Sequence, residues 1–168
     1  MPNLILGFDP GMGGAIALYD PKEPKRSQVW DMPKAIKGID APKLSDLLGC
    51  IMAEDLDRSF SAIVENVGSR PRQAGAFNFG LSTGIIHGVL ATLEIPFTLV
   101  TPTEWKGAMG LTRYPEETQD QNKQRARLLA IQLFPGLAED LKLMRHDGRA
   151  EALLMAVYFA NRPTKEKK

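Results

Sequence analysis

The stretch that decides the fold is Leu4-Ile-Leu-Gly-Phe-Asp9-Pro-Gly-Met-Gly-Gly14. Residues 4–8 form one apolar run, and residues 15–19 form a second one after the glycine-rich segment. Short apolar runs joined by Pro and Gly predict two buried strands connected by a tight turn. Asp9 then ends the first strand at the rim of a sheet, and the glycines after it leave the space in front of its carboxylate open.

The later part of the chain predicts three more strands and several helices. The further strands are predicted at residues 27–32, 60–64 and 97–100. Helices are predicted from apolar spacing or from start and stop signals, after Pro42, at 73–94, after Thr101, at 120–134 and at 147–161. Strands come first and then alternate with helices, which indicates an α/β fold with a mixed five-stranded sheet flanked by helices. We expect one domain at residues 1–162 and a disordered charged tail at residues 163–168.

The composition fits one globular domain and argues against other classes. With 43% hydrophobic residues among 168, the chain can build one sizeable core. Its 21 Lys and Arg and 20 Asp and Glu nearly cancel, and a net charge of +1 does not by itself attract a polyanion. Cys50 is the only cysteine, which excludes an internal disulfide, and its apolar neighbours predict a buried thiol. We see no signal sequence and no membrane-length apolar run, so we expect a reducing, cytoplasm-like compartment and no membrane contact.

Four carboxylates are placed where they could meet. Asp9 and Glu65 each end a predicted buried strand, where a carboxylate is costly unless it is paired or bound to a cation. Asp147 and Glu151 lie four residues apart, on one face at the start of the last helix. Each feature alone has a simpler explanation, since Asp-Pro-Gly is a common turn, Asp147 could cap the helix and Glu151 could be solvated.

Together, the four carboxylates form a donor set of hard oxygens that suits Mg²⁺ or Mn²⁺. Two such ions about 4 Å apart can activate water, hold a phosphate and stabilise the leaving oxygen. The expected chemistry is therefore phosphodiester hydrolysis with two Mg²⁺ ions per active site, for which Mn²⁺ could substitute, and with no small-molecule cofactor.

Three segments carry a resemblance to a known family. Asp9-Pro-Gly11 after the first strand, Val64-Glu65 at the end of a later one and residues 147–154 in the last helix resemble the RuvC family of Holliday junction resolvases. The similarity in order and spacing covers nearly the whole chain. The resemblance implies an RNase H-like fold, a homodimer, Mg²⁺ dependence and paired nicks in a four-way DNA junction, in a bacterial or phage-infected cell. It also assigns catalytic roles to Asp9, Glu65 and Glu151.

The chain departs from the family pattern at two places. The family usually has an acid or a histidine three residues before the last carboxylate, and that position here is Gly148. Asp147 is therefore expected to complete the metal site, as in the fungal mitochondrial branch, with His146 as the alternative. Bacterial members have an aromatic wedge after the second acid, whereas this chain has Asn66-Val-Gly-Ser-Arg-Pro-Arg72, and what replaces the wedge is left open. These departures favour a bacteriophage member over a cellular one.

Basic residues and glycines predict the contacts with DNA and with a second subunit. The candidates for contacts with the DNA backbone are Arg70, Arg72, Lys106, Lys123 and Arg127. A solvated helix face is the alternative for Lys123 and Arg127, and Phe77 and Phe79 are expected to be buried rather than to stack on bases. Gly80, Gly84 and Gly88 recur every four residues and predict a close approach of another backbone, at the dimer interface by resemblance or against the chain's own sheet.

Three other functions remain open. A nuclease of the same fold could act on forks, flaps or nucleic-acid hybrids. The glycine-rich turn also resembles the phosphate loop of actin-like and Hsp70-like ATP-binding proteins, although 168 residues hold only one of the two lobes they need. A catalytically silent junction-binding protein is the third alternative, and the four intact acids argue against it.

Overall fold

The computed structural model describes residues 4–11, 13–66 and 76–162. Five strands form one sheet in the order β3-β2-β1-β4-β5. They are β1 (Leu4–Asp9), β2 (Ala15–Tyr19), β3 (Gln28–Asp31), β4 (Phe60–Glu65) and β5 (Phe97–Val100). β1, β2 and β3 pair antiparallel, whereas β4 and β5 continue the sheet in parallel from β1. The predicted mixed five-stranded sheet is confirmed.

Among the described residues, six α-helices flank this sheet. They are α1 (Ala41–Ala53), α2 (Ala76–Thr92), α3 (Pro102–Ala108), α4 (Gln119–Leu133), α5 (Ala138–Leu141) and α6 (Asp147–Asn161). The sequence predicted each of them except the one-turn helix α5. Thr101 caps α3 as predicted, because its hydroxyl accepts a hydrogen bond from the amide of Glu104 at 3.3 Å. The carboxylate of Glu104 accepts a hydrogen bond from the hydroxyl of Tyr158 in α6, at 2.8 Å.

The alternation of side chains along β1 builds a separate core on each face. Leu4, Leu6 and Phe8 pack with α1 and α2 in one buried cluster. Ile5 packs on the other face, in a cluster with α3, α4 and α6. Gly7 also points toward α6, and a Cβ atom built on it would lie 2.0 Å from the carbonyl oxygen of Ala152. The absence of a side chain at position 7 therefore lets α6 lie directly against β1.

Two burial predictions are wrong. Cys50 is exposed, because the buried side of α1 is formed by Leu44, Leu48 and Ile51, and position 50 falls outside this stripe. Phe77 is 81% exposed and Phe79 is partly exposed, because both precede the part of α2 that packs on the sheet. Within the described ranges, no helix has the length and apolarity needed to cross a membrane. Residues 163–168 lie outside these ranges, so the predicted domain boundary stays a prediction.

Candidate active site

Asp9 and Glu65 lie side by side at one edge of the sheet. β1 and β4 run parallel with Phe8 opposite Val64, and each strand ends at the next residue. Parallel neighbours that end together place their last side chains at the same rim. The turn after Asp9 folds back tightly, with the amide of Gly14 donating a hydrogen bond to the carbonyl of Gly11 at 3.2 Å. The sequence therefore placed these two acids correctly at strand ends.

Glu65 is held by a tryptophan that the sequence analysis missed. The Nε1 atom of Trp105 in α3 donates a hydrogen bond to Oε1 of Glu65 at 2.8 Å, and both side chains are buried. Burial raises the pKa of Glu65, and the hydrogen bond from Trp105 opposes that rise by stabilising the ionised form. The one available signal was a tryptophan directly after a helix start, because a buried indole N–H needs an acceptor.

The first turn of α6 brings Glu151 and Asp147 to the same edge. Asp147 is the first residue of the helix, and Glu151 lies one turn later, with only 7% of its surface exposed. Between them, Gly148 lies against the turn after β1. A Cβ atom built on Gly148 would lie 2.9 Å from Oδ2 of Asp9 and 3.0 Å from the carbonyl oxygen of Gly13. A side chain at position 148 would therefore crowd the Asp9 carboxylate and the turn after β1.

Asp9 is electrostatically the centre of the four carboxylates. Its pKa is raised well above the ordinary value, first by burial and then by the negative charges of Glu65, Glu151 and Asp147. Lys106 acts in the opposite direction. The three other carboxylates are thus near enough for their charges to disfavour the ionised form of Asp9.

Two lysines neutralise part of this negative charge. Nζ of Lys106 lies 2.7 Å from Oε1 of Glu151, and Nζ of Lys123 lies 2.5 Å from Oδ2 of Asp147. The hydrogen bond to Asp147 raises the pKa of Lys123. The sequence placed both lysines among the DNA contacts and missed their pairing with the acids. The Lys123 side chain is 40% exposed and the Lys106 side chain is 21% exposed, so both side chains are partly accessible to solvent.

The other basic candidates differ in position. Arg127 is buried in the middle of α4 rather than solvated on its surface. Arg125, two residues before Arg127 in α4, is a structural residue, because its guanidinium binds Glu117 and the carbonyl oxygens of Gly110 and Thr112. Arg70 and Arg72 lie outside the described residues.

His146 is buried beside charges that do not belong to the four acids. The amide of Leu143 donates a hydrogen bond to its Nδ1 atom at 3.4 Å. Burial lowers the pKa of His146, and the positive charges of Arg149 and Arg145 lower it further. Arg149 in turn binds Asp31 at the end of β3, with Nε 2.7 Å from Oδ1. Asp147, whose charge acts on Asp9, is therefore the better candidate for the fourth acid.

The glycine stripe of α2 faces away from the sheet. Gly80, Gly84 and Gly88 are exposed, and a Cβ atom built on any of them would meet no atom of another described element within 4 Å. The side of α2 that packs on the sheet carries Ser82, Ile86 and Leu90. The alternative explanation, in which the glycines allow tight packing on the chain's own sheet, is therefore wrong.

The four carboxylates are chemically suited to bind a divalent cation, but their side chains are not arranged around a common point. Across residues 4–11, 13–66 and 76–162, no three acid, His or Cys side chains stand in position to share one ion. Positive charge at the four acids comes from Lys106 and Lys123 instead. Buried oxygen donors that repel one another are the groups that a hard cation stabilises.

Comparisons with known proteins identify the fold. No protein-family model matches the sequence, and no curated protein matches it. RuvC of T. thermophilus in complex with a Holliday junction substrate is similar in structure, with 16% identity, a TM-score of 0.59, and coverage of 94% of this chain and 92% of that chain. A second Thermus thermophilus RuvC structure gives 15% identity, a TM-score of 0.53, and coverage of 94% and 93%. The chain therefore has the fold of RuvC, an RNase H-like mixed sheet of five strands flanked by helices.

Proposed function

We propose that the chain is a divalent-metal-dependent endonuclease that cleaves branched DNA, with the four-way junction as its substrate. The observation that carries the proposal is the position of Asp9, whose charge is opposed by three further carboxylates at the open edge of the sheet. A structurally similar protein, T. thermophilus RuvC, has been solved in complex with a Holliday junction substrate. The fold and the acids together favour phosphodiester hydrolysis over nucleotide binding.

Asp9, Glu65, Asp147 and Glu151 are proposed to hold two Mg²⁺ ions, or Mn²⁺ in their place. When bound, these ions would supply the Lewis acid and the activated water of the reaction. Trp105 orients Glu65 through its indole N–H, and Gly148 leaves the space beside Asp9 open. These contacts position the carboxylates without closing the rim on which DNA would lie.

Lysines and arginines around the acids are proposed to contact the DNA backbone. Lys106 and Lys123 have partly exposed side chains beside the acids. Arg70 and Arg72 remain candidates in the segment after Glu65. Two copies of the chain are proposed to pair through the glycine face of α2, because paired nicks in opposing strands need two active sites related by symmetry.

Cleavage of defined DNA substrates tests the proposal. We expect a synthetic four-way junction, incubated with Mg²⁺, to receive symmetric nicks, and a fork, a linear duplex and an RNA–DNA hybrid to stay intact. In Asp9→Asn and Glu65→Gln the rate should fall at least about 100-fold while junction binding persists, because each variant loses a proposed metal ligand. Asp46→Asn, which changes an exposed acid on α1, should cleave like the wild type.

Other outcomes would select the alternatives. Cleavage of the fork or the hybrid in preference to the junction would replace the substrate but keep the nuclease. Equal cleavage by Asp9→Asn and the wild type would reject the proposed site. Junction binding with no cleavage by the wild type, in Mg²⁺ or Mn²⁺, would indicate a junction-binding protein instead.

A further inference from the structure

A cavity of about 350 Å³ opens beside the four acids, between α4 and the turn that leads into α6. We call it the Arg127 pocket; its charged lining residues are Asp120, Lys123, Arg127, Arg145 and Asp147. Asp147 therefore belongs to both the pocket and the proposed catalytic site. Ligand-binding clefts in proteins usually have volumes of roughly 300–1,000 Å³.

Arg127 provides a buried guanidinium group in the lining of this pocket. The residue is only 8% exposed, although arginine is almost never buried without a partner. Its Nε atom is buried and has no hydrogen-bond partner among the residues that the structure describes. Within the same residues, no carboxylate forms an ion pair with it, whereas Arg125, two positions earlier, is bound by Glu117. A buried guanidinium with an unused donor is energetically unfavourable unless an acceptor arrives from outside.

The charges around the pocket favour an anion as that acceptor. Lys123, Arg127 and Arg145 contribute three positive charges, and Asp120 and Asp147 contribute two negative ones. Lys123 already pairs with Asp147, so the positive charge in excess lies on the two arginines. A planar guanidinium with parallel N–H donors can bind two oxygens of one phosphate at the same time, with a charge-assisted hydrogen bond to each.

We propose that the Arg127 pocket binds one phosphodiester group of the DNA backbone, next to the bond that is cleaved. The inference rests on the proposed function, because the pocket shares Asp147 with the four acids. It also gives Arg127 a role distinct from that of a solvated surface charge. A phosphate held by a buried arginine would set the position of the strand along the active site, whereas Lys106 and Lys123 would contribute attraction without a defined position.

The salt dependence of junction binding measures this contact. Binding in EDTA, where cleavage cannot proceed, should weaken by roughly tenfold in Arg127→Gln, because a charge-assisted contact is lost. The slope of log binding constant against log salt should fall by about one. Lys25→Gln is the matched control, since Lys25 is exposed and lies with residues 133–137 against the other end of α4. An unchanged slope in Arg127→Gln would overturn the proposal.

A second measurement identifies which phosphate is bound. It also keeps the proposal testable if Arg127→Gln folds poorly. Neutral methylphosphonate linkages are placed one at a time around the cleaved bond. At one position, the neutral linkage should weaken junction binding by the wild type but not by Arg127→Gln. If Arg127→Gln does not fold, Arg127→Lys carries the test, because it keeps the charge but loses the fork and should also lose this position-specific effect. An effect of equal size in the wild type and both variants would contradict the contact.

An experiment with inorganic phosphate distinguishes a site for the DNA backbone from a site for free anions. Its outcomes also show whether the pocket or the proposed nuclease function fails. Phosphate should raise the melting temperature of the wild type above that in chloride at equal ionic strength, and should not do so in Arg127→Gln. Stabilisation by phosphate without any methylphosphonate effect would mean a free-anion site and would overturn the backbone contact. DNA cleavage with no dependence on Arg127 would reject the pocket alone. An Arg127-dependent backbone contact in a protein that cleaves no DNA would reject the nuclease and keep the pocket.

Discussion

Asp9 is the residue whose ionised form the surrounding structure most opposes. Its pKa is raised above the ordinary value of 3.8, first by burial and then by its three acidic neighbours. The folded protein therefore holds the Asp9 proton more tightly than the unfolded chain does. The resulting stability is fully present below about pH 3.8 and is lost as the pH rises through the raised pKa.

Replacing Asp9 by Asn should therefore stabilise the metal-free protein at neutral pH. In EDTA, we expect Asp9→Asn and the wild type to unfold at similar urea concentrations near about pH 4, and the variant to become increasingly more stable toward about pH 8. Asp20, whose pKa is lowered to about 2 by its hydrogen bonds with Arg58, has the opposite dependence but is present in both proteins. Parallel stability curves would contradict the assignment. Added Mg²⁺ should stabilise the wild type more than the variant.

Gly148 is a second residue with a specific steric role. We expect Gly148→Ala to destabilise the protein by about 1–3 kcal/mol, because its Cβ atom would lie 2.9 Å from Oδ2 of Asp9. Gly49→Ala is the matched control, since a Cβ atom there meets nothing within 4 Å, and it should stabilise α1 by up to about 1 kcal/mol. Urea unfolding of both variants checks the contrast. Equal effects would mean that the turn after Asp9 can move aside.

At the scale of residues, the sequence predicted where the acids lie in the fold better than it predicted which side chains contact them. Asp9 and Glu65 could be found because apolar strands end on them. The lysine contacts could not be found, because Lys106 and Glu151 are 45 positions apart and nothing local in the sequence links them. The same holds for Trp105 and Glu65, which are separated by 40 positions. Arg127 shows the same difficulty, since its place on a polar helix predicts exposure.

Among the elements, α2 has one apolar face that the rest of the described chain does not cover. Its glycines point outward, and Phe77 and Leu81 on the same helix are also exposed. Glycine in a helix costs about 1 kcal/mol relative to alanine, so a stripe of them indicates a compensating contact. Since the chain's own sheet does not provide that contact, a second copy of the chain is the expected partner.

A bulky residue in the stripe should break this interface. We expect the wild type to be a dimer and Gly88→Leu to be a monomer by light scattering, because the leucine side chain would hold the two helices apart. Gly49→Leu places the same side chain on α1 and should remain dimeric. A Gly88→Leu dimer would exclude α2 from the interface, and a monomeric wild type would reject the predicted dimer.

The helices themselves were predictable where their signals were local. The start signal at Thr101 and Pro102 predicted α3, and the apolar spacing after Pro42 predicted α1. Burial on these helices was less predictable, as Cys50 and Phe77 show. A helix has several apolar residues, and its tertiary contacts decide which of them face the core.

At the scale of the whole molecule, the sheet separates two hydrophobic cores and carries the four acids at one of its edges. The strands were predictable because each is a short apolar run bounded by turn residues. No local signal predicts their order, in which β1 lies between β2 and β4. The face that α6 covers holds the four acids at its rim, so packing in that core and the positions of Glu151 and Asp147 are linked.

This link depends on two missing side chains. Gly7 lets the backbone of α6 touch β1, and Gly148 lets the helix start touch the turn after Asp9. At Gly7 this contact is between two backbones, whereas at Gly148 the nearest neighbours are the carboxylate of Asp9 and the backbone of the turn after it. Adding even one methyl group at either glycine would act as a spacer and widen the distance between the acids.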